Sequence, residues 1–137
     1  MVNVTKLYCG ISTPGDYIRY RKRLKGKELS LSSIKPVVVW NLTKRCNLSC
    51  IHCYYDSKDV HIENELTTKQ AEKVIDDLAS FKVPHILFSG GEPLTRSDLF
   101  HLASYAGSKG LKYVLSTNGT LISKSTAQNI KKTGFSY

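Results

Sequence analysis

The hydrophobic residues between Pro36 and the end of the chain alternate between short continuous runs and helical spacing. The run Val37–Trp40 is β-branched and aromatic, which predicts a parallel strand buried on both faces. A cysteine-rich loop follows, from Thr43 to about Glu63, and then a helix predicted from about Thr67 to Phe81. This helix has a capping-box pair, Thr67 and Gln70, and one apolar face. The apolar face consists of Ala71, Val74, Ile75, Leu78 and Phe81.

The same strand-then-helix pattern occurs twice more. A strand at 85–88 and a helix at about 97–108 precede a strand at 112–116 and a helix at about 123–132. Ser123 is the predicted N-cap of the last helix, and Gly110 and Gly134 are predicted stops. Three successive βα units favour an α/β fold with parallel strands joined by right-handed crossovers.

The final residues, Phe135–Tyr137, look like the start of a fourth strand. Three βα units cannot close an eight-stranded barrel. We therefore expect part of a longer protein, truncated before strand four. The organisation we predict is a head at 1–35 and an incomplete α/β domain at 36–137. In the head, Thr13–Asp16 is a turn signal and a short basic helix is predicted from Tyr17 to about Lys25.

Composition narrows the function classes. The chain has 137 residues, a formal net charge of +9 and 41% hydrophobic residues, and its longest apolar run is too short to span a membrane. The first ten residues lack a secretory signal pattern, so we expect a cytoplasmic protein with reduced thiols. The basic charge is either a solvated face or an attraction for polyanions such as a polycarboxylate substrate. No nucleic-acid-binding motif accompanies this charge, so we expect no nucleic-acid partner.

The densest chemical signal is the triplet Cys46, Cys50 and Cys53. Thiolates are soft donors that suit iron–sulfur clusters and zinc. Structural zinc sites and electron-transfer clusters usually have four protein ligands, whereas this loop supplies three cysteines. An iron–sulfur cubane with three thiolates keeps one iron open, which is a catalytic feature. The alternative is a zinc site closed by His52 or His61, and Cys9 is either a fourth ligand or a free thiol.

The position of this loop supports a catalytic interpretation. It follows the first predicted strand, while Ser89–Pro93 follows the second and Ser116–Gly119 follows the third. Ligand sites of parallel α/β folds gather at the carboxyl ends of their strands. We therefore expect the three loops to converge on one face.

The spacing C-x3-C-x2-C after a first strand, with Gly90-Gly91-Glu92-Pro93 after the second, resembles the radical S-adenosylmethionine (SAM) superfamily. The resemblance implies the N-terminal part of a partial (βα)6 barrel. It implies that Cys46, Cys50 and Cys53 hold three irons of a 4Fe-4S cluster, whose fourth iron binds SAM.

The resemblance also implies SAM contacts beyond the cluster. The segment Gly90–Pro93 would hold the methionine ammonium, because glycines permit close approach and Glu92 and carbonyls accept from a cation. His52 would lie near the adenine, and Thr117 and Asn118 near the SAM carboxylate or ribose. Without the resemblance, the segment Gly90–Pro93 indicates a tight turn, and Asn118-Gly119 indicates an ordinary turn. His52 would then be a solvated loop residue.

The implied reaction is reductive cleavage of SAM to a 5′-deoxyadenosyl radical, which abstracts hydrogen under anaerobic conditions. Electrons would come from a ferredoxin or flavodoxin. Segments 6–10, 15–20 and 35–43 further resemble the radical SAM proteins of sirohaem-dependent haem and haem d-type synthesis, which implies a tetrapyrrole substrate. Many such proteins carry a second cluster, for which this chain has no ligands. The alternatives are a radical SAM peptide maturase, a non-enzymatic zinc or electron-transfer module, and a nucleic-acid binder.

Overall fold

The computed structural model describes residues 35–60 and 62–136. Within these residues, three parallel strands form one sheet: β1 (Val38–Asn41), β2 (His85–Ser89) and β3 (Lys112–Leu115). The strands are hydrogen-bonded in sequence order, β1-β2-β3. Each pair of strands is joined through a helix, so the predicted α/β fold of three βα units is confirmed.

Three helices accompany the sheet: α1 (Thr68–Ser80), α2 (Leu99–Ser108) and α3 (Lys124–Thr133). The middle helix, α2, packs against α1, α3 and β3. The buried core joins one face of β2 to the apolar faces of α1 and α2. Its fully buried side chains include Ile86, Phe88, Ile75, Leu99 and Leu102.

The prediction that the first strand is buried on both faces is wrong. Val37 and Val39 are each 57% exposed, whereas Val38 and Trp40 pack against the core. Strand β2 also alternates, because Ile86 and Phe88 are buried while its other residues are half-buried. A continuous apolar run shows that both faces of a strand are hydrophobic, but not whether another element covers each face.

The helix ends follow the predicted caps closely. Thr67 and Gln70 form the capping box of α1. Ser123 accepts a hydrogen bond from the amide of Thr126, and Gly134, at φ 83°, ends α3 in the left-handed conformation. Phe81 is the C-cap of α1 and is 53% exposed, so it does not belong to the buried face. Helix α2 begins at Leu99, two residues later than predicted, because Ser97 forms a turn and Asp98 is the N-cap.

We expect Thr67→Ala to lower the free energy of unfolding by ~1 kcal/mol, because it removes the capping hydroxyl of α1. In the wild type, the amide of Thr67 also donates to the Gln70 side chain at 2.9 Å. Urea unfolding followed by circular dichroism measures the change. Lys69→Ala, an exposed change in the same turn, should stay within about 0.5 kcal/mol of the wild type. Equal stabilities for the two variants would show that the cap contributes nothing.

Residues 36–137 form one compact unit. The predicted head, with its turn and its basic helix, lies outside the described residues, as do Cys9 and His61. The division at 35/36 therefore stays a prediction.

No helix in the described ranges is long and apolar enough to cross a membrane. Phe135 packs against the core, and the Ser136 amide donates to the Tyr113 carbonyl of β3 at 3.1 Å.

Candidate cofactor site

The three loops that leave the carboxyl ends of the strands surround one open cavity of about 240 Å³. All three cysteines of the motif line it, and so do four other residues predicted from the sequence. These are His52, Gly90, Gly91 and Asn118. Glu92, Pro93 and Thr117 do not line the cavity. The structure therefore brings seven of the ten predicted site residues to one surface.

The base of the cysteine loop continues the pairing of β1 with β2 beyond the strand ends. The Leu42 amide donates to the Ser89 carbonyl at 2.9 Å. The Gly91 amide then donates to the Thr43 carbonyl at 2.8 Å, and the Glu92 amide donates to the Arg45 carbonyl, also at 2.8 Å. The backbone of the turn after β2 thus packs directly against the three residues that precede Cys46.

This close approach explains both glycines of the turn. A Cβ at Gly90 would lie 2.4 Å from the Thr43 carbonyl oxygen, and one at Gly91 would lie 2.3 Å from that of Arg45. Gly90 also has φ +141°, a conformation that side chains rarely adopt. The two glycines therefore hold the cysteine loop in place, in addition to lining the cavity.

Backbone contacts close the far end of the loop. The Cys46 amide donates to the Lys58 carbonyl at 3.1 Å, and Arg45 and Lys58 form an isolated parallel bridge. Arg45 also pairs with Asp59 at 2.8 Å, although both side chains are about half exposed and the pair adds little. These contacts join the two ends of the segment 46–58.

The three cysteines differ in exposure. Cys46 is buried, and its sulfur accepts from the Leu48 amide at 3.4 Å and faces the Asn118 side-chain nitrogen at 3.8 Å. Cys50 is exposed and Cys53 is half-buried. The backbone amides of Ser57 and Tyr55 are the main reasons that the pKa of Cys53 lies below its usual range. Such donors favour the thiolate, which is the form that binds metals.

The cysteines lie around the cavity and do not meet at one point. In the part of the chain that the structure describes, no three His, Cys, Asp or Glu side chains are close enough together to hold a single metal ion. In a 4Fe-4S cluster, each cysteine binds a different iron. Three separated thiols that line one cavity fit such a group.

Glu92 is fully buried and connects the loop after β2 to the loop after β3. Its Oε1 accepts from the Leu94 amide at 2.9 Å and from the Thr117 hydroxyl at 2.7 Å. Its Oε2 accepts from the Asn118 amide at 2.7 Å. The carboxylate thus has three protein donors, and it fixes the backbone from which the Asn118 side chain reaches Asn47 in the cysteine loop at 3.1 Å.

We expect Glu92→Gln to lower the free energy of unfolding by about 2–3 kcal/mol, because it replaces charge-assisted hydrogen bonds and sets an amide donor against another donor. Chemical denaturation of the metal-free protein measures this loss. Glu63→Gln is the matched control, because Glu63 is exposed. A Glu92→Gln protein as stable as the Glu63→Gln control would contradict the connecting role of Glu92.

A second connection holds the start of the cysteine loop to the segment before α1. Glu65 accepts from the Thr43 hydroxyl at 2.6 Å and from the Lys44 amide at 2.9 Å. Arg96 donates to the Leu42 and Leu66 carbonyls and pairs with Asp98 at 2.7 Å. Sequence reasoning gave Glu65 and Arg96 no role at the site, because Glu65 acts on residues more than twenty positions away and Arg96 donates to distant backbone carbonyls.

Leu48 and Ser57 line the cavity without having been predicted to do so. Tyr54 and Tyr55 also line it. Tyr54 is 81% exposed, so it is not a core residue. The contact of His52 with adenine stays a prediction, although His52 does lie at the cavity. The only sequence signal for Ser57 and Leu48 was their position beside the cysteines.

Comparison with known proteins identifies the family of this chain. The family model described as the radical SAM superfamily matches residues 40–137. The Fe-coproporphyrin III synthase of Methanosarcina barkeri is 53% identical over 100% of this chain and 35% of its own length. The pre-heme d1 synthase of Dinoroseobacter shibae is 52% identical over 75% of this chain and 26% of its own length. These two relatives confirm the resemblance to radical SAM proteins of haem and haem d-type synthesis.

A solved structure shares the fold. The crystal structure of BtrN in complex with AdoMet and 2-DOIA has a TM-score of 0.63 and 18% identity, over 74% of this chain and 43% of that one. The chain spans between about a quarter and a third of the length of the two curated relatives. With a family model that matches nearly all of the described residues, this chain belongs to the radical SAM superfamily.

Proposed function

We propose that this chain is the cofactor-binding part of a radical SAM enzyme that holds a 4Fe-4S cluster and SAM and acts on a side chain of an iron tetrapyrrole. One observation carries the proposal: three free thiols from a single loop line a cavity whose wall continues onto Gly90, Gly91 and Asn118. This arrangement provides ligands for three irons and leaves adjacent polar backbone for a small molecule.

The ligands in this proposal are Cys46, Cys50 and Cys53. The Leu48 amide donates to the Cys46 sulfur at 3.4 Å. At Cys53, backbone amides lower the pKa and favour the thiolate. The chemistry that the cluster supplies when bound is one-electron reductive cleavage of SAM. The part of the protein would be to orient the cofactors.

The remaining predicted residues fall into two groups. Gly90, Gly91, His52 and Asn118 line the cavity and are the proposed direct contacts to SAM. Glu92, Pro93 and Thr117 lie behind this surface, where Glu92 binds Thr117 and the Asn118 amide. We therefore assign these three residues to fixing the loops, and we assign the methionine ammonium to backbone carbonyls of the glycine segment.

The substrate proposal is supported by the names of the relatives, which are synthases of Fe-coproporphyrin III and pre-heme d1. The net charge of +9 also suits a polycarboxylate tetrapyrrole. The electron donor that we propose is a small acidic redox protein of the ferredoxin or flavodoxin class.

The first test is anaerobic reconstitution with iron and sulfide, followed by electron paramagnetic resonance (EPR) of the reduced protein with and without SAM. We expect a 4Fe-4S signal that changes when SAM is added, because SAM would bind the open iron. A cluster signal that SAM leaves unchanged would contradict SAM binding by this chain. Purified protein that holds zinc and assembles no cluster would overturn the proposal and favour a zinc module.

The substrate needs a separate experiment. The reconstituted protein is incubated with SAM and dithionite, with or without didecarboxysirohaem, and 5′-deoxyadenosine is measured by mass spectrometry. We expect the tetrapyrrole to raise the rate of 5′-deoxyadenosine formation. A rate raised by a peptide and not by the tetrapyrrole would favour a peptide maturase and leave the cofactor assignment intact.

A further inference from the structure

Ser57 has a buried hydroxyl that the rest of the described chain does not satisfy. The residue is 5% exposed, and its Oγ is buried without a hydrogen-bond partner among the described residues. Buried hydroxyls normally have a partner, so an orphaned one calls for an explanation. Ser57 lines the same cavity as the three cysteines. Its partner is therefore expected to be an acceptor that faces this cavity once the cofactor is bound.

The segment between Cys53 and Ser57 folds back in a tight turn. Asp56 has φ 48°, in the left-handed region, and its amide approaches the Cys53 carbonyl at 3.4 Å. Cys53 and Ser57 flank this turn and line the same cavity. The Ser57 hydroxyl therefore lies beside Cys53 without a hydrogen bond to its neutral thiol.

The position of Ser57 is also well fixed. It immediately precedes Lys58, whose carbonyl accepts from the Cys46 amide and whose backbone bridges to Arg45. The hydroxyl is therefore held near Cys53 by the same contacts that close the cysteine loop. A donor fixed in this way needs little reorganisation to bind a charged sulfur.

We propose that Ser57 is a positioning residue that donates its hydroxyl hydrogen to the cluster-bound sulfur of Cys53 and thereby raises the reduction potential of the cluster. The inference rests on the proposed 4Fe-4S site. Reduction adds one negative charge to the cluster and its thiolates, and hydrogen bonds to the sulfurs are one of the factors that set the potential. A donor at Cys53 stabilises the reduced form more than the oxidised form, because charge-assisted hydrogen bonds are the stronger ones.

The test is a redox titration of the anaerobically reconstituted protein, monitored by EPR without SAM. Ser57→Ala removes the hydroxyl, and we expect the equilibrium constant for one-electron reduction to fall roughly tenfold, a shift of ~59 mV to a more negative potential. Ser49→Ala is the matched control, since Ser49 is exposed on the same loop, and its potential should equal that of the wild type.

A second pair of variants distinguishes the loss of the hydroxyl from a change in packing. Ser57→Thr and Ser57→Val fill nearly the same space, but only threonine keeps a hydroxyl. We expect the Thr variant to have a higher potential than the Val variant, whatever cost both share from the added methyl groups. Equal potentials in this pair would overturn the inference, even if Ser57→Ala assembles too little cluster to titrate.

The outcomes also separate this inference from the proposed function. A wild-type protein that assembles no 4Fe-4S cluster would overturn both. A cluster with the wild-type potential in Ser57→Ala would overturn the role of Ser57 alone. If Ser57→Ala keeps the potential but binds SAM more weakly, the hydroxyl contacts SAM instead of the cluster sulfur, and the inference is again wrong.

Discussion

The Cys50→Ala protein is expected to retain its fold and lose its cluster. Among the described residues, three thiols line the cavity, and the variant keeps two of them, which is too few to bind three irons of a cubane. Cys50 is exposed, so we expect the free energy of unfolding of the metal-free variant to stay within about 0.5 kcal/mol of the wild type. Iron and acid-labile sulfide per chain after reconstitution should fall to background, together with the visible absorbance and the EPR signal.

The control for this variant is Cys9→Ala, which changes the cysteine outside the motif. We expect it to assemble as much cluster as the wild type, because the proposed ligands are Cys46, Cys50 and Cys53, and Cys9 is not among them. A Cys50→Ala protein that keeps a full cluster would contradict the ligand assignment. A Cys9→Ala protein that loses the cluster would instead make Cys9 a fourth ligand and remove the open iron.

The fold of the described residues followed from local sequence patterns. Alternation of apolar runs and helical faces predicted the three βα units, and the caps of α1 and α3 were predicted at Thr67, Ser123 and Gly134. These features depend on residues within a few positions of one another, so one sequence contains most of the information. The cysteine motif is likewise local, because its three cysteines lie within eight residues.

Features that depend on distant residues could not be predicted in this way. The exposed face of β1 depends on which elements cover it, and the donors of Glu92 come in part from the loop after β3, at Thr117 and Asn118. The acceptance from a cation that the motif suggested for Glu92 stays a prediction, and the three protein donors of its carboxylate could not be read from the motif. The unsatisfied hydroxyl of Ser57 is similarly visible only once the loop has closed.

The glycine turn shows why a sequence motif can have two roles at once. Gly90 and Gly91 line the cavity, as expected of residues near a cofactor, and they also lie against the backbone that precedes Cys46. A change that disturbs the contact with the cysteine loop would also disturb the lining of the cavity, because the same backbone atoms serve both. A substitution that only adds volume at this turn therefore tests how strongly the cysteine loop depends on β2.

Gly91→Ala is expected to lower the free energy of unfolding by more than ~3 kcal/mol and to prevent cluster assembly. The added Cβ would lie 2.3 Å from the Arg45 carbonyl oxygen and 2.7 Å from its carbon, and backbone atoms cannot move aside as a flexible side chain can. To relieve this clash, the turn must separate from the cysteine loop. That separation breaks the 2.8 Å hydrogen bond from the Glu92 amide to the Arg45 carbonyl. Urea unfolding and iron content after reconstitution measure the two effects.

Gly110→Ala separates this steric effect from backbone strain. Gly110 has φ +79°, so alanine there is strained, but no heavy atom lies within 4 Å of the added Cβ. We expect a loss of about 1–2 kcal/mol and normal cluster assembly, because this turn lies beyond α2 and away from the cavity. A Gly91→Ala protein no less stable than Gly110→Ala, with a full cluster, would show that the loop tolerates separation from β2. The larger loss at Gly91 would establish that contact as the support of the site.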